Sequence, residues 1–486
     1  MSEPATVALS LVSHTNVGKT TLARTLLGRD IGEVRDEAHV TLAAERHTLV
    51  ESPRGDRLQL WDTPGFGDSV RLAKRLAQAG NPLGWFLTEV WDRFRDRGFW
   101  SSQRAVRNIV EQADVVLYLV NASEAPADAG YLDAEMRVLA LIGKPVIVLL
   151  NQLGPPRTAA DEAAEVARWR ERTAATPVVR EVLALDAFAR CWVQEGRLLD
   201  AVGHVLAGDR QEAFQRLRTA WRERGVATWR AAMAVLGERL ARAALDKETL
   251  PGGDWTDKLS EVSTALGLRR GRNGTPRDKA MRALAERLDA DIRASTDRLI
   301  ELHGLSGHAT EVVLTRLAEH YAVHERVSEG RAALWGGLVS GALAGLKADI
   351  ATGGLTMGGG LLAGGVIGAL TAAGAARGYN LMRGVDVSTL SWEDAVLDEL
   401  AQSALLGYLA VAHYGRGRGD WTASEHPAFW RDAVKEVLAP RLEALHRIWD
   451  RREAGDAIRA PLRDWFVDAS GALLRRLYPA AHFEAA

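Results

Sequence analysis

The chain has little cysteine and little net charge, and each shortage excludes a class of protein. It contains a single cysteine, Cys191, in 486 residues, so no intrachain disulfide can form, as expected in a reducing compartment. The formal net charge is −2, which argues against a surface dedicated to nucleic acid. The first residues also lack the basic and long apolar stretches of a cleavable targeting segment. We therefore expect a cytoplasmic protein.

Signatures of several kinds of catalysis are missing as well. The sequence has no ligand spacing typical of zinc, no Ser/His/Asp arrangement for nucleophilic catalysis and no internal repeat. Hydrophobic residues make up 47% of the chain and charged residues 26%, which are ordinary values for a globular protein. A chain of this length is too long for a single core and predicts two or three domains.

What the sequence does contain is a phosphate-binding turn close to its N-terminus. The apolar run 7–12 predicts a strand, and the octapeptide from Ser13 to Thr20 (SHTNVGKT) leads into a helical pattern. Backbone N–H groups of such a turn point at phosphates, and the helix N-terminus adds partial positive charge. We expect Lys19 to reach the β- and γ-phosphates and Thr20 to hold Mg²⁺. Ser13 replaces the usual first glycine and tolerates the tight turn less easily.

A second motif follows about forty residues after Lys19. Residues 58–62 alternate as a strand does, and this strand ends in Asp62-Thr63-Pro64-Gly65. An aspartate at the end of a strand parallel to the first can hold Mg²⁺ through water, and Gly65 lets its own N–H approach a γ-phosphate. Asp-Thr-Pro-Gly alone could be an ordinary turn. The two motifs together predict a nucleotide switch.

With these motifs the chain resembles the Era/TrmE-like branch of the translation-factor class of GTPases. It resembles more closely a bacterial group that joins such a G domain to a C-terminal helical domain of unknown function. The resemblance rests on residues 14–20, 62–65, 149–154 and 190–195, and on a Gly-rich segment near residue 355. It implies an α/β P-loop NTPase G domain, with a mostly parallel sheet flanked by helices, followed by a largely α-helical C-terminal region.

The resemblance also implies the residues of the site. The expected nucleotide contacts are His14, Thr15, Asn16, Val17, Gly18, Lys19, Thr20, Thr21, Asp62, Gly65, Asn151 and Gln152. Thr20, Thr41 and Asp62 are the expected Mg²⁺ ligands, with Thr48 as the alternative to Thr41. Lys19, Thr41 and Gly65 are the residues we assign to catalysis.

Two positions sharpen the expected hydrolysis chemistry. Phe66 stands where Ras-type enzymes carry the glutamine that orients the attacking water, so intrinsic hydrolysis should be slow. Asn16 stands where potassium-using Era/TrmE-like enzymes have their ion-binding asparagine. A K⁺ ion there would neutralise charge between the β- and γ-phosphates. The alternative is that Asn16 only forms hydrogen bonds within the loop.

Guanine recognition departs from the Asn-Lys-x-Asp consensus. The apolar run 144–150 predicts a buried strand, and Asn151-Gln152-Leu153-Gly154 follows it. Asn151 can contact the base edge, whereas Gly154 lacks the carboxylate that accepts hydrogen bonds from guanine. Such a site should discriminate GTP from ATP less sharply. We expect the last base-contacting loop at 186–188.

Four segments organise the chain. We predict the GTPase domain at 1–205, a helical domain at 206–330, a Gly-rich apolar helical hairpin at 331–380, and a helical segment at 381–486 that packs against 206–330. The long stretch before the strand at 115–120 holds Trp85, Trp91 and Trp100 and is either an insertion that moves with switch II or plain core. Five tryptophans in the last segment are expected to be core residues or helix–helix anchors: Trp392, Trp421, Trp430, Trp449 and Trp465.

The Gly-rich segment leaves the biological role open. Its uncharged run 350–376 exceeds the ~20 residues that span a bilayer, and its glycines would let helices approach closely. A soluble glycine-packed hairpin and peripheral association with the inner membrane fit it equally.

The sequence is compatible with three functions. One is a GTP-driven switch that engages a membrane or membrane protein. The others are a ribosome- or RNA-linked GTPase, and a nucleotide-binding scaffold that does not hydrolyse. A homodimer formed through the G domain is compatible with each.

Overall fold

Nearly continuous apolar runs form the central strands of a six-stranded sheet. In the computed structural model, β1 (Thr6–Ser13), β4 (Val115–Asn121) and β5 (Val146–Asn151) are buried along almost their whole length. Such strands are typical of parallel sheets covered on both faces. The outer strands are β2 (Glu45–Glu51), β3 (Arg57–Asp62) and β6 (Val179–Ala184), and the order is β2-β3-β1-β4-β5-β6. Only β2 runs antiparallel to its neighbour in this sheet.

The structure describes most of the chain outside the Gly-rich segment. The described residues are 4–28, 44–78, 97–153, 159–185, 191–250, 276–305, 379–383, 388–413, 429–479 and 481. Several predicted features lie outside them: Thr41, Trp85, Trp91, Gly154, Trp421, the loop 186–188 and the apolar run 350–376.

Helices cover both faces of the sheet and create two cores. They are α1 (Lys19–Leu27), α2 (Ser69–Gln78), α3 (Arg97–Gln112), α4 (Leu132–Ile142), α5 (Ala159–Thr173), α6 (Trp192–Val205) and α7 (Gly208–Leu245). Leu9 and Leu11 of β1 face the core shared with α1, α6 and the start of α7. Val12 faces the opposite core, which α2, α3, α4 and α5 complete. The predicted fold class of the N-terminal region is confirmed.

Two compact units divide the chain. The first comprises Met1–Thr228, Ala412–Pro427 and Leu474–Ala486, and the second comprises Trp229–Val411 and Ala428–Leu473. The finer boundaries at 205, 330 and 380 stay predictions.

An ion pair fixes the first half of α7 to the turn that precedes β3. Arg216 donates to both carboxylate oxygens of Asp56, at 2.7 and 2.9 Å, and Asp56 has no exposed surface. The hydrogen bonds from Arg216 are the largest cause that holds the pKa of Asp56 well below its usual range. Ser52 Oγ and the Ala5 N–H also donate to this carboxylate. The pair is therefore a buried, fully satisfied connection within the first unit.

Helices make up most of the residues that the structure describes in the second unit, as predicted. They are α8 (Pro276–Leu302), α9 (Asp394–Ala412), α10 (Phe429–Leu438), α11 (Leu442–Trp449) and α12 (Arg459–Leu477), with short 3₁₀ segments at Ala439–Arg441 and Arg452–Ile458. The tryptophan prediction is confirmed where the structure describes it, because Trp392, Trp430, Trp449 and Trp465 are all buried. Trp229 of α7 is buried too and donates to Ser470 Oγ of α12 at 2.9 Å.

A small antiparallel sheet in the second unit was not predicted. Its strands are β7 (Lys247–Leu250), β8 (Tyr379–Arg383) and β9 (Ser388–Trp392), in the order β7-β9-β8. The sequence had indicated only helices beyond residue 205, and this was wrong for these residues. In β9 Leu390, Ser391 and Trp392 are all buried, so the strand does not show the alternation of buried and exposed residues that marks a half-buried strand. The strands have only 4 or 5 residues, and β7 is distant in sequence from β8 and β9, so local periodicity did not separate them from loops.

One helix among the described residues has the length and apolar composition to cross a membrane. It is α9, and more than half of its most apolar window is buried within the fold. A core helix of a soluble protein has the same properties, so α9 does not decide the membrane question.

We predict that the Asp56–Arg216 pair contributes strongly to stability. Asp56→Asn leaves the guanidinium without its buried counter-charge and should lower the midpoint of thermal unfolding by about 5 °C, measured by circular dichroism. Asp200→Asn is the control, because the Asp200–Arg218 pair is much more exposed and should shift the midpoint by at most about 1 °C. Equal shifts in the two variants would contradict the prediction.

Candidate functional site

The phosphate-binding turn lies between the end of β1 and the start of α1. Gly18 precedes Lys19, the first residue of α1, and has a left-handed backbone with φ 92°. A Cβ at this glycine would lie 2.8 Å from Asn151 Nδ2, and Asn151 is fully buried. Both the backbone angle and the available space therefore require glycine here. The N-terminal N–H groups of α1 consequently open towards the loop.

Lys19 is buried at the base of this loop. Its Nζ donates to Ser13 Oγ at 2.9 Å and lies 3.5 Å from the carbonyl oxygen of His14. Burial lowers the pKa of Lys19, and the carboxylates of Asp62 and Glu135 oppose that shift. Ser13, which departs from the motif, thus supplies an acceptor for the lysine, and its own hydroxyl donates to the His14 carbonyl.

Thr20 and Asp62 form a compact pair of oxygen donors. The parallel register of β1 and β3 aligns Leu11 with Asp62, and this alignment brings the carboxylate to the start of α1. Thr20 Oγ1 donates to Asp62 Oδ2 at 2.6 Å. Burial raises the pKa of Asp62 to about 6, although Thr20 and Lys19 counteract the shift.

The second oxygen of Asp62 is the feature that fits a cation. Among the described residues, Asp62 Oδ1 is buried and has no hydrogen-bond partner. Buried acceptors are nearly always paired, and a carboxylate beside a threonine hydroxyl is a donor set that Mg²⁺ prefers. Thr20 and Asp62 therefore fit a magnesium ion.

The turn after Asp62 packs directly on the phosphate-binding loop. A Cβ at Gly65 would lie 3.0 Å from Lys19 Nζ and 3.1 Å from Thr15 Cα. The Phe66 N–H donates to the Ser13 carbonyl at 2.9 Å, and the Phe66 ring is completely buried in the core. Phe66 therefore fixes the turn but does not face the site.

The structure brings Asn151 to the loop from the end of β5. Asn151 Nδ2 donates to the Val17 carbonyl at 2.7 Å. Gln152 follows with a positive φ of 58°, and Asn16 at the top of the loop has φ 63° and an exposed side chain.

The other predicted residues have different placements. Val17 and Thr21 are buried, so only their backbone could contact a nucleotide. Thr48, the alternative to Thr41, is exposed in the middle of β2 opposite Gln59 and is not brought to Asp62.

Sequence reasoning missed three side chains that hold this site. Ser101 Oγ donates to the Gly65 carbonyl at 3.0 Å, and Ser102 Oγ accepts from the N–H groups of Gly67 and Asp68 at 2.9 and 3.1 Å. Glu135 of α4 lies 2.7 Å from His14 Nδ1. None of the three belongs to a sequence motif. The one available signal was Glu135, a glutamate among the apolar residues of the α4 sequence.

Comparison with known proteins agrees with this geometry. Residues 8–152 match the family model described as 50S ribosome-binding GTPase. The N-terminal part of the chain is thus a P-loop GTPase domain. Residues 178–457 match the family model described as domain of unknown function DUF3482, which covers more than half of the chain. The chain belongs to that family.

The solved structures that match this chain do so at a low level. Era in complex with MgGDPNP and nucleotides 1506–1542 of 16S ribosomal RNA is 16% identical, with a TM-score of 0.31, over 51% of this chain and 74% of that one. An Aquifex aeolicus Era variant bound to GDP·AlF4⁻ is 16% identical, with a TM-score of 0.30, over 60% and 89%. A bacterial dynamin pair is 9% identical, with a TM-score of 0.23, over 97% and 68%. Similarity this low says nothing about what this chain binds.

We predict that Gly18 is required for more than its backbone angle. Gly28 also has a positive φ, of 64°, but a Cβ there would meet nothing within 4 Å. Gly28→Ala should therefore cost about 1 kcal/mol of unfolding free energy from strain alone. Gly18→Ala should cost about 2–3 kcal/mol, because the methyl group also displaces the buried Asn151 amide. Urea denaturation measures both variants, and equal costs would contradict the steric explanation.

Proposed function

We propose that this protein is a Mg²⁺-dependent GTP-binding switch with slow intrinsic hydrolysis. One observation carries the proposal: the buried Lys19 ammonium and the Thr20–Asp62 oxygen pair lie together at the N-terminus of α1. A triphosphate needs a cation and backbone donors at its β- and γ-phosphates, together with a magnesium site beside them. The match to the 50S ribosome-binding GTPase model supports the same function.

Different residues of the chain would contact the phosphates and the metal ion. Lys19 and the first N–H groups of α1 contact the phosphates, and the N–H of Gly65 approaches the γ-phosphate. Thr20 and Asp62 would hold Mg²⁺, with Thr41 as the expected third protein group. When bound, the ion neutralises charge that develops on the phosphate oxygens during hydrolysis.

Slow hydrolysis follows from the residue after Gly65. The Phe66 ring lies in the core and carries no polar atom, so it cannot orient water. A bound cation or a partner protein then supplies the charge stabilisation or the water orientation that hydrolysis needs. Asn16 supports a K⁺ ion, because its side chain is exposed at the top of the loop. If Asn16 only forms hydrogen bonds within the loop, the protein is a slowly hydrolysing switch or a nucleotide-binding scaffold that does not hydrolyse.

We propose that the protein binds GTP more tightly than ATP, with modest discrimination between the two. Asn151 is fixed at the end of β5, next to the phosphate-binding loop, and Gln152 follows where a lysine usually covers the base. Gly154 supplies no carboxylate for guanine, so the preference rests on fewer contacts than usual.

Two features of the chain point to different partners. The Gly-rich segment supports peripheral association of a cytoplasmic protein with the inner membrane or a membrane protein. The description of the matched G-domain model favours a ribosome-linked role instead. Co-sedimentation with liposomes and with ribosomes, each with GDP and with a non-hydrolysable GTP analogue, separates the two. Gel filtration with the same nucleotides tests a homodimer through the G domain.

We predict that Lys19→Ala weakens GTP binding by about 100-fold, because a buried charge-assisted contact to the phosphates is lost. Titration with a fluorescent GTP analogue, with and without Mg²⁺, measures the affinity. Lys279→Ala is the control, since Lys279 is exposed on α8. If Lys19→Ala binds GTP as tightly as the unmodified protein does, the proposed site is contradicted. Competition with ATP in the same titration measures the preference for the base.

We predict that GTP turnover is roughly tenfold faster in KCl than in NaCl, because a K⁺ ion at Asn16 stabilises charge between the phosphates. Asn16→Ala should remove the difference between the salts while retaining GTP binding. Phosphate release under saturating GTP measures turnover. Equal rates in both salts for the unmodified protein would refute the potassium hypothesis.

A further inference from the structure

His14 turns its side chain away from the phosphate-binding loop and onto α4. The imidazole Nδ1 lies 2.7 Å from Glu135 Oε1, and the ring stacks on Tyr131 with centroids 4.4 Å apart and planes 13° from parallel. The ring is therefore held both at its edge and on one face. Because its ring is fixed, the backbone of His14 is fixed as well.

Glu135 is a rigid partner for this histidine. It lies in the first turn of α4 with no exposed surface, and its other oxygen accepts from the Tyr118 hydroxyl at 2.5 Å. Tyr118 is itself fully buried on β4. A buried carboxylate is tolerated only when its oxygens are paired, and both oxygens are paired here. The carboxylate cannot move without leaving one of these groups unsatisfied.

A second anchor holds the other side of the loop. The Val17 carbonyl accepts from Asn151 Nδ2, so the top of the loop, Thr15 and Asn16, lies between two fixed points. Asn16 has φ 63°, a conformation that costs a non-glycine residue energy. The two anchors, on His14 and on the Val17 carbonyl, hold the loop in this conformation.

We propose that Glu135, acting through His14, is a positioning residue that preforms the phosphate-binding loop. The proposal rests on the nucleotide-binding function above. A loop already held in its binding conformation loses less conformational freedom when the ligand binds, so affinity is higher. Glu135 touches no substrate in this arrangement. Its positioning effect reaches the phosphates through the His14 backbone, whose carbonyl lies 3.5 Å from Lys19 Nζ. Its charge also favours the ammonium form of Lys19, and Glu135→Gln separates the two effects because it removes the charge and keeps the acceptor.

A double-mutant cycle on GTP affinity tests the inference. His14→Ala and Glu135→Met each remove the contact and should each weaken binding of a fluorescent GTP analogue by about tenfold. The double variant should bind no more than about twofold weaker than either single variant, because one contact is lost in all three. Glu135→Gln and His14→Asn keep an acceptor and a donor, respectively, and should restore affinity to within about threefold of the unmodified protein.

Glu165→Met is the matched control, because Glu165 is also a buried helical glutamate but lies on α5 and pairs with Arg168. It should retain full affinity. All titrations are made below the unfolding midpoint of each variant. Should Glu135→Met fail to fold, His14→Ala with rescue by His14→Asn carries the test, since 32% of the His14 side chain is exposed.

Two outcomes would overturn the inference. One is affinity within twofold of the unmodified protein for His14→Ala and Glu135→Met. The other is a double variant about 100-fold weaker, which would show two independent effects. Failure of the unmodified protein to bind any triphosphate is a different result, because it overturns the proposed function and removes the inference with it.

Discussion

The arrangement of the N-terminal unit depends on burying one ammonium group, that of Lys19. A buried cation is costly unless opposite charge and hydrogen-bond acceptors surround it. Here Ser13 Oγ accepts from it, and the carboxylates of Asp62 and Glu135 favour its charged form. These residues come from three separate elements, β1, β3 and α4. The sheet order that places β3 and β4 on either side of β1 is what allows them to meet.

The sequence was sufficient for the parts of this arrangement that are local. Gly18, Lys19 and Thr20 are adjacent in the chain, and a strand before them and a helix after them are enough to predict the turn. Asp62 could be added because parallel strands end at the same edge of a sheet. Glu135, Ser101 and Ser102 could not be added, because each contacts a backbone or side chain far away in sequence and no pattern marks such a contact. The small sheet of the second unit was not predicted because its strands are short and because β7 pairs with β9, which is far away in sequence.

Phe66 shows how a structure changes the meaning of a sequence departure. From the sequence, a phenylalanine in place of glutamine indicates only that water is not oriented. In the structure the ring is part of the core, and its N–H binds the Ser13 carbonyl. The residue therefore joins the turn after Asp62 to the end of β1. Ser101 and Ser102 on α3 hold the same turn from the other side. Phe66 thus cannot orient water, but its N–H and these two serines fix the backbone around Gly65.

The strand that ends in Asp62 begins next to another buried carboxylate of this unit, that of Asp56. Asp56 precedes β3 by one residue and is held by two hydrogen bonds from Arg216 of α7. Arg224, two turns further along α7, donates to the Leu49 carbonyl of β2 at 3.1 Å. The hairpin of β2 and β3 is thus attached to α7 at one end and carries a proposed magnesium ligand at the other. Because β3 is hydrogen-bonded to β1 on one side and to β2 on the other, the ion pair at its start and these two ladders together fix the strand that positions Asp62.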